Sequence, residues 1–455
     1  MSNPFNPNIM HKIVTLLALC IALTFPAKAT LYFPPTTGSV WDTTSLASLG
    51  WCQDKMDSLI NYLGAHHTKA FILLKDGKIV TEHYFGTFTV DSAWQWNSAG
   101  KSLTGFLMGL AQEQGYLNIQ DSLPKYLHHG FSLCSTAAED SIRVWNQLTM
   151  TTGFDDNGAN GTESHCTDDT CLICIAAPGT RWAYHNAPYT MLHWVLDSAS
   201  GSNINTFTRK NLLNSCGITG LWVSNLPSNP YDEIYFSKAR SMARFGLLVL
   251  AGGSWGATTI MHDTAYFRQM RNSSQTINPS YGYLWWLNGK SSFRLPSLQV
   301  NFNGPIVPHA PADMVAALGK NDQILNVVPS KGLVLVRMGD AFATSMEVSA
   351  TVDDSIWMKL NEVFCNKLSV TAPQSEAVAL NITPNPVNNV FALSCTGLKG
   401  MATLKIFRVD GRLVYSRSLN ACNETLIDAS GFMSGMYLIR VQNQQGIYHA
   451  KFTKL

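Results

Sequence analysis

Strand-like runs stand at both ends of the first 370 residues, and mostly helical or irregular sequence fills the stretch between them. Near the N-terminal end, Asp76-Gly77 lies between the apolar, β-branched runs of residues 71–84, the strongest short-range hairpin signal a sequence can carry. Near the other end, strand signals recur at 281–287, 313–318, 323–328 and 333–338. Helical periodicity is expected at about 52–65, from Ser98 to 115, at 189–200, 237–250 and 353–368. Strands separated by about 200 residues of sequence but joined by short turns on each side fit one antiparallel sheet. The chain between them must then leave the sheet as a helical lobe and return. The expected fold class is therefore α/β in the α+β sense, an antiparallel sheet flanked by helices.

Residues 377–455 change character: short alternating runs are separated by Asn, Gly and Pro turns, as in a small all-β sandwich. Thr371 to Glu376 reads as a linker. At the other terminus, His11 and Lys12 precede an apolar run from Ile13 to Phe25, and Ala27-Lys28-Ala29 has the small-x-small cleavage pattern. That run is too short for a membrane span and suits a signal peptide ending at Ala29. The expected division is a signal peptide at 1–29, a main domain at 30–370, a linker at 371–376 and a β-domain at 377–455. No later segment has the length and apolarity of an integral membrane span.

Ten cysteines fit an exported chain. Cys166, Cys171 and Cys174 have knuckle-like spacing, but only His165 stands near as a fourth metal ligand, so a local disulfide is the better expectation and no metal is assigned. Cys52 and Cys365 can staple the ends of the main domain, Cys395 and Cys422 can pair in the tail, and at least one cysteine should stay free. The formal charge is only +2, without a basic block, so nucleic acid is excluded as a partner.

The chemistry sits in three short segments. Ser98-Ala-Gly-Lys101 opens an apolar helix whose Leu103, Phe106, Leu107 and Leu110 recur at helical spacing, with Ser98 at the expected N-cap. Positions i and i+3 share a helix face, so the Lys101 amine can reach the Ser98 hydroxyl and take its proton. Burial and the helix dipole both favour the neutral amine. The serine's own N–H, unpaired in a first turn, can donate to an oxyanion. Tyr184-His-Asn186 offers a phenol for proton relay and an amide able to bond both lysine and substrate. In Ala316-Ala-Leu-Gly-Lys320, Gly319 permits close approach and the Lys320 N–H can complete an oxyanion hole. Trp94, Trp96, Trp182, Tyr189, Trp285 and Trp286 are candidates for a cleft wall, although aromatic residues at such positions are as often core.

Together these segments resemble the serine β-lactamase and penicillin-binding-protein superfamily, in its class C-like branch, over about residues 52–368. Residues 148–154 (LTMTTGF), 281–286 (YGYLWW) and Val328-Pro329 agree with it. The resemblance implies a β-lactamase/transpeptidase-like fold, Ser98 as nucleophile, Lys101 as activator, Tyr184 as proton relay, and Asn186, Gly319 and Lys320 at the oxyanion and substrate. It implies no cofactor. Ala317-Leu318 replaces the polar pair with which that family holds a β-lactam carboxylate, and the Gly-x-x-x-Gln pattern from Gly319 to Gln323 looks closer to the esterase and nylon-oligomer hydrolase branch. The expected substrate is a small-molecule or peptide ester or amide. Alternatives are a D-amino-acid peptidase, carboxypeptidase or β-lactamase using the same site, and a non-catalytic surface binder.

In the tail, residues 382–386 (ITPNP), 406–412 (IFRVDGR), 427–432 (IDASGF), Gly435-Met-Tyr437 and the basic end at 451–454 resemble the C-terminal sorting domain of type IX secretion. That resemblance implies the type IX machinery as partner. It also implies a secreted or cell-surface destination, reached through the periplasm of a Bacteroidetes-type bacterium.

Overall fold

The computed structural model describes residues 30–156, 165–226, 229–342, 348–365, 379–398, 400–408, 412–420, 424–443 and 446–455. The expected signal peptide at 1–29, the expected linker at 371–376 and Cys422 lie outside these residues. The chain divides into two compact units, Met1–Asn366 and Lys367–Leu455.

In the first unit, helix α1 (Gln53–Ala65) leads into the hairpin of β1 (Thr68–Lys75) and β2 (Lys78–Tyr84). Its turn has positive φ at both Asp76 and Gly77, the conformation that makes Asp-Gly the favoured pair at such a bend. Helix α2 (Gly100–Glu113) and helix α3 (Asn186–Ser200) belong to the middle lobe, and α4 (Ala239–Leu250) returns the chain to the sheet. The remaining strands are β3 (Trp286–Leu287), β4 (Val315–Gly319), β5 (Gln323–Val328) and β6 (Leu333–Gly339), followed by α5 (Ala350–Val363).

All neighbours in the six-stranded sheet are antiparallel, in the order β2-β1-β6-β5-β4-β3. The two ends of the unit thus meet at the β1–β6 pair, where Ile72 opposes Val336. Helices cover both faces. Leu325 meets α4 beside Gly246, while its neighbour Asn326 points the other way and donates to Asp353 of α5 at 2.6 Å. Because both faces are covered, β1, β5 and β6 are apolar almost without alternation and nearly all buried.

The strand expected over 281–287 is regular only at Trp286–Leu287, with Tyr281 making an isolated bridge to Trp286. Cys52–Cys365, Cys134–Cys174 and Cys166–Cys171 are disulfides, and Cys216 is free and buried. The three knuckle-like cysteines therefore hold their sulfurs in covalent bonds. Cys395 is also disulfide-bonded.

The second unit is a sandwich of a three-stranded sheet (Ala379–Thr383, Val390–Thr396, Glu424–Asp428) and a four-stranded sheet (Met401–Arg408, Leu413–Asn420, Gly435–Asn443, Gly446–Lys454). Phe391 and Ile427 from the first share one core with Leu404, Ile439 and Phe452 from the second. Among the described residues no helix is long and apolar enough to cross a membrane.

Candidate active site

Ser98 is not the N-cap expected from the sequence. Asn97–Ala99 form a single 3-10 turn, and α2 starts after it with Ala99 as its cap residue. Asn97 adopts a positive φ of 48°, which asparagine tolerates better than most residues, and its amide donates to the Lys320 carbonyl at 2.7 Å. This leaves the Ser98 hydroxyl free of capping duty. It accepts instead from Lys101 Nζ at 3.0 Å.

Two neighbours fix the position of this turn. The short strand Ala93–Gln95 pairs with Asn229–Lys238, and Trp96 bonds that strand through both its backbone N–H and its indole. On the other side, β3 pairs only with Val315 and Ala316, so the far half of β4 is left for the turn that carries Ser98. A Cβ on Gly319 would lie 2.3 Å from the Trp96 oxygen and 3.2 Å from the Ser98 nitrogen. Only glycine allows that approach. Lys320, in the turn just past β4, accepts from Asn97 through its carbonyl and so stands beside the Ser98 turn.

Lys101 is 4% exposed. Burial brings its pKa down to about 7, with Asp232 pulling in the opposite direction. The amine also donates to Asn186 Oδ1 at 2.8 Å and lies over the rings of Tyr184 (5.1 Å) and Tyr189 (4.3 Å). Tyr184 stacks on Trp286 at 5.7 Å. Burial pushes the Tyr189 phenol well up, so it stays neutral. His185, next to Asn186, is buried, and its pKa falls to about 4 through that burial, so it is a neutral imidazole.

Ser98, Lys101, Tyr184, Asn186 and Lys320 all line one cleft of about 510 Å³, and Gly319 forms its backing. The aromatic wall is not as expected: Tyr189 lines the cleft, whereas Trp96, Trp182, Trp285 and Trp286 are buried in the core and Trp94 packs edge-on against Phe88. These indoles carry apolar area that the core absorbs. Ala317 and Leu318 are buried as well and contribute nothing to the lining.

The sequence reading missed His165 and the carboxylates Asp156, Asp232 and Glu233, which also line the cleft. Each carboxylate is paired: Asp156 with Arg181, Asp232 with His165 at 3.3 Å, and Glu233 with His193 at 3.2 Å. No local pattern marks these residues, because their partners come from distant segments. Among the described residues no group of three or more His, Cys, Asp or Glu is placed to hold a metal ion.

Several solved structures share this fold. A candidate 6-aminohexanoate-dimer hydrolase from Bacillus anthracis superposes with a TM-score of 0.55 at 16% identity, over 72% of this chain and 89% of its own. A penicillin-binding protein homologue from Caulobacter crescentus gives 0.51 at 13%, over 69% and 98%. A family VIII carboxylesterase gives 0.51 at 12%, over 70% and 99%. A search of the curated proteins finds no significant match. Residues 381–454 match the secretion system C-terminal sorting domain. Residues 56–347, which carry every side chain of the cleft, match the Beta-lactamase family model, and the chain belongs to that family.

Proposed function

We propose that this protein is an exported serine hydrolase that forms an acyl-enzyme on Ser98 and cleaves an ester or amide of a small molecule or peptide. The observation that carries the reading is the buried Lys101 amine, 3.0 Å from Ser98 Oγ and with its pKa brought to about 7. A neutral amine at that distance accepts the hydroxyl proton as Oγ bonds the substrate carbonyl carbon. The N–H groups of Ser98 and Lys320 then hold the oxyanion. Tyr184, whose ring lies beside the amine, passes the proton to the leaving group. Water enters as the second nucleophile, and the acyl product leaves with Ser98 restored.

The cleft favours an ester or amide over a β-lactam. A β-lactam brings a carboxylate that needs a charge-assisted donor, and losing one costs about 1.5–3 kcal/mol, or roughly ten- to a hundredfold. Ala317 and Leu318 supply no donor, and Arg181 is held by Asp156. Apart from Lys101, Lys320 is the remaining lysine or arginine lining the cleft among the described residues. For the peptidase alternative, the cleft carboxylates that would attract a substrate ammonium already have cationic or imidazole partners.

The comparison to make is kcat/KM for a short-chain p-nitrophenyl ester against nitrocefin. We expect the ester to be preferred at least tenfold. A preference for nitrocefin overturns this substrate assignment and makes Lys320→Ala the next variant.

Export rests on the tail. We propose that 1–29 is a cleaved signal peptide, 30–370 the hydrolase domain and 377–455 a sorting domain that engages the type IX machinery of a Bacteroidetes-type bacterium. Deleting Gly435 to Leu455 should leave active enzyme in the periplasm. Normal surface delivery of that truncation would contradict the sorting role.

A further inference from the structure

Beyond Lys101, a line of polar contacts continues away from Ser98 to a buried carboxylate. Lys101 Nζ donates to Asn186 Oδ1 at 2.8 Å. Asn186 Nδ2 lies 3.0 Å from His165 Nε2, and His165 Nδ1 lies 3.3 Å from Asp232 Oδ1. The donor inventory permits one assignment for a neutral imidazole. The amide nitrogen can only donate, so Nε2 accepts, and the ring proton sits on Nδ1 and points at the carboxylate.

That assignment matters for the chemistry at Ser98. A neutral amine has one lone pair, and a base needs it aimed at the serine hydroxyl. Asn186 Oδ1 takes an amine N–H and leaves the lone pair to Ser98. A rotated amide would present an N–H to the amine and compete for that same lone pair. What opposes the rotation is His165: turned round, the amide would set its oxygen against the unprotonated Nε2, two acceptors face to face. Asp232 in turn keeps the proton on Nδ1, in the way a carboxylate fixes a histidine tautomer from behind.

We propose that His165 and Asp232 form a positioning relay, rather than catalytic residues, which locks the Asn186 amide and thereby the orientation of the Lys101 amine. The inference deepens the hydrolase reading and rests on it. The relay is assembled from three separate segments. Asp232 comes from the strand that also anchors Trp96, Asn186 opens α3, and His165 immediately precedes the Cys166–Cys171 disulfide. That bond closes a five-residue step right after the histidine and limits where its backbone can go. Other ionisable groups lining the same cleft are Asp156, Glu233, Tyr184, Tyr189 and Lys320.

The test uses p-nitrophenyl butyrate with the full chain. His165→Leu removes the acceptor, and the expected result is a kcat lower by roughly tenfold or more with KM changed less than about threefold. His165→Gln keeps an acceptor for Asn186 and a donor for Asp232, and should recover most of the loss. The acid limb of the pH profile should move to lower pH in His165→Leu, since an N–H facing the amine penalises its charged form, and should return in His165→Gln. A His165→Leu enzyme within twofold of wild type overturns the relay, as does a glutamine variant no better than leucine.

Should the wild type itself turn over no ester, the hydrolase reading fails on its own. The relay is then read from the pH midpoint of Lys101 acetylation by acetic anhydride, located by mass spectrometry. A downward shift in His165→Leu but not in His165→Gln supports it, and an unchanged midpoint overturns it.

Discussion

Replacing Gly319 by alanine probes a close backbone approach in the site. The added Cβ would stand 2.3 Å from the Trp96 carbonyl oxygen, 2.9 Å from the Ala99 nitrogen and 3.2 Å from the Ser98 nitrogen. Carbon atoms pack comfortably at about 3.5–4.0 Å, so the Ser98 turn or β4 must retreat by roughly 1 Å. Neither yields easily. Gly319 pairs with Gln323, its carbonyl accepts from Ser349, and the turn is bonded to Tyr235 and Ser237. Overpacking of this kind costs about 1–3 kcal/mol, and a displacement of that size at reacting groups lowers rates by roughly a hundredfold. The assay is kcat/KM on a p-nitrophenyl ester alongside Tm. We expect a large loss of rate with a Tm drop of only a few degrees. Wild-type rate and Tm in Gly319→Ala would refute the contact itself.

Two further outcomes follow from buried ionisable groups. If the neutral Lys101 amine is the base, kcat/KM rises with pH to a plateau, with a midpoint near 7 and a tenfold fall per unit below it; a profile flat from pH 5 to 8 would exclude that role. Asp353 is buried beneath the sheet, its Oδ2 has no hydrogen-bond partner among the described residues, and burial raises its pKa to about 8. The unfolded chain releases this proton near pH 4 and the folded one near 8, so the contribution is complete below about pH 4 and shrinks by about 1.4 kcal/mol per unit as pH rises between them. Asp353→Asn should therefore flatten Tm against pH over that window, which thermal melts from pH 4.5 to 8.5 will show.

The parts of the molecule legible in the sequence are those encoded over a few residues. Asp76-Gly77 announces its hairpin because positive φ at successive residues is written in residue type. The Ser98–Lys101 contact follows from i, i+3 geometry, which survives the replacement of the expected N-cap by a 3-10 turn. Cysteine spacing anticipates a local disulfide among Cys166, Cys171 and Cys174, but not that Cys174 pairs with the distant Cys134. The tryptophans were misleading because an indole serves a core as readily as a cleft, and the sequence does not say which face of its element is covered. His165 and Asp232 were invisible for a different reason. Their meaning depends on each other and on Asn186, and folding alone brings the three together. His165 stands among cysteines and reads there only as a metal-ligand candidate.

The most direct measurement of the central claim is the site of covalent labelling. A fluorophosphonate, followed by peptide mass spectrometry, should modify Ser98 stoichiometrically in the wild type and leave Ser98→Ala unlabelled, with ester turnover lost in parallel. Labelling of Ser98→Ala equal to wild type, or modification at another serine with Ser98 untouched, would contradict the account.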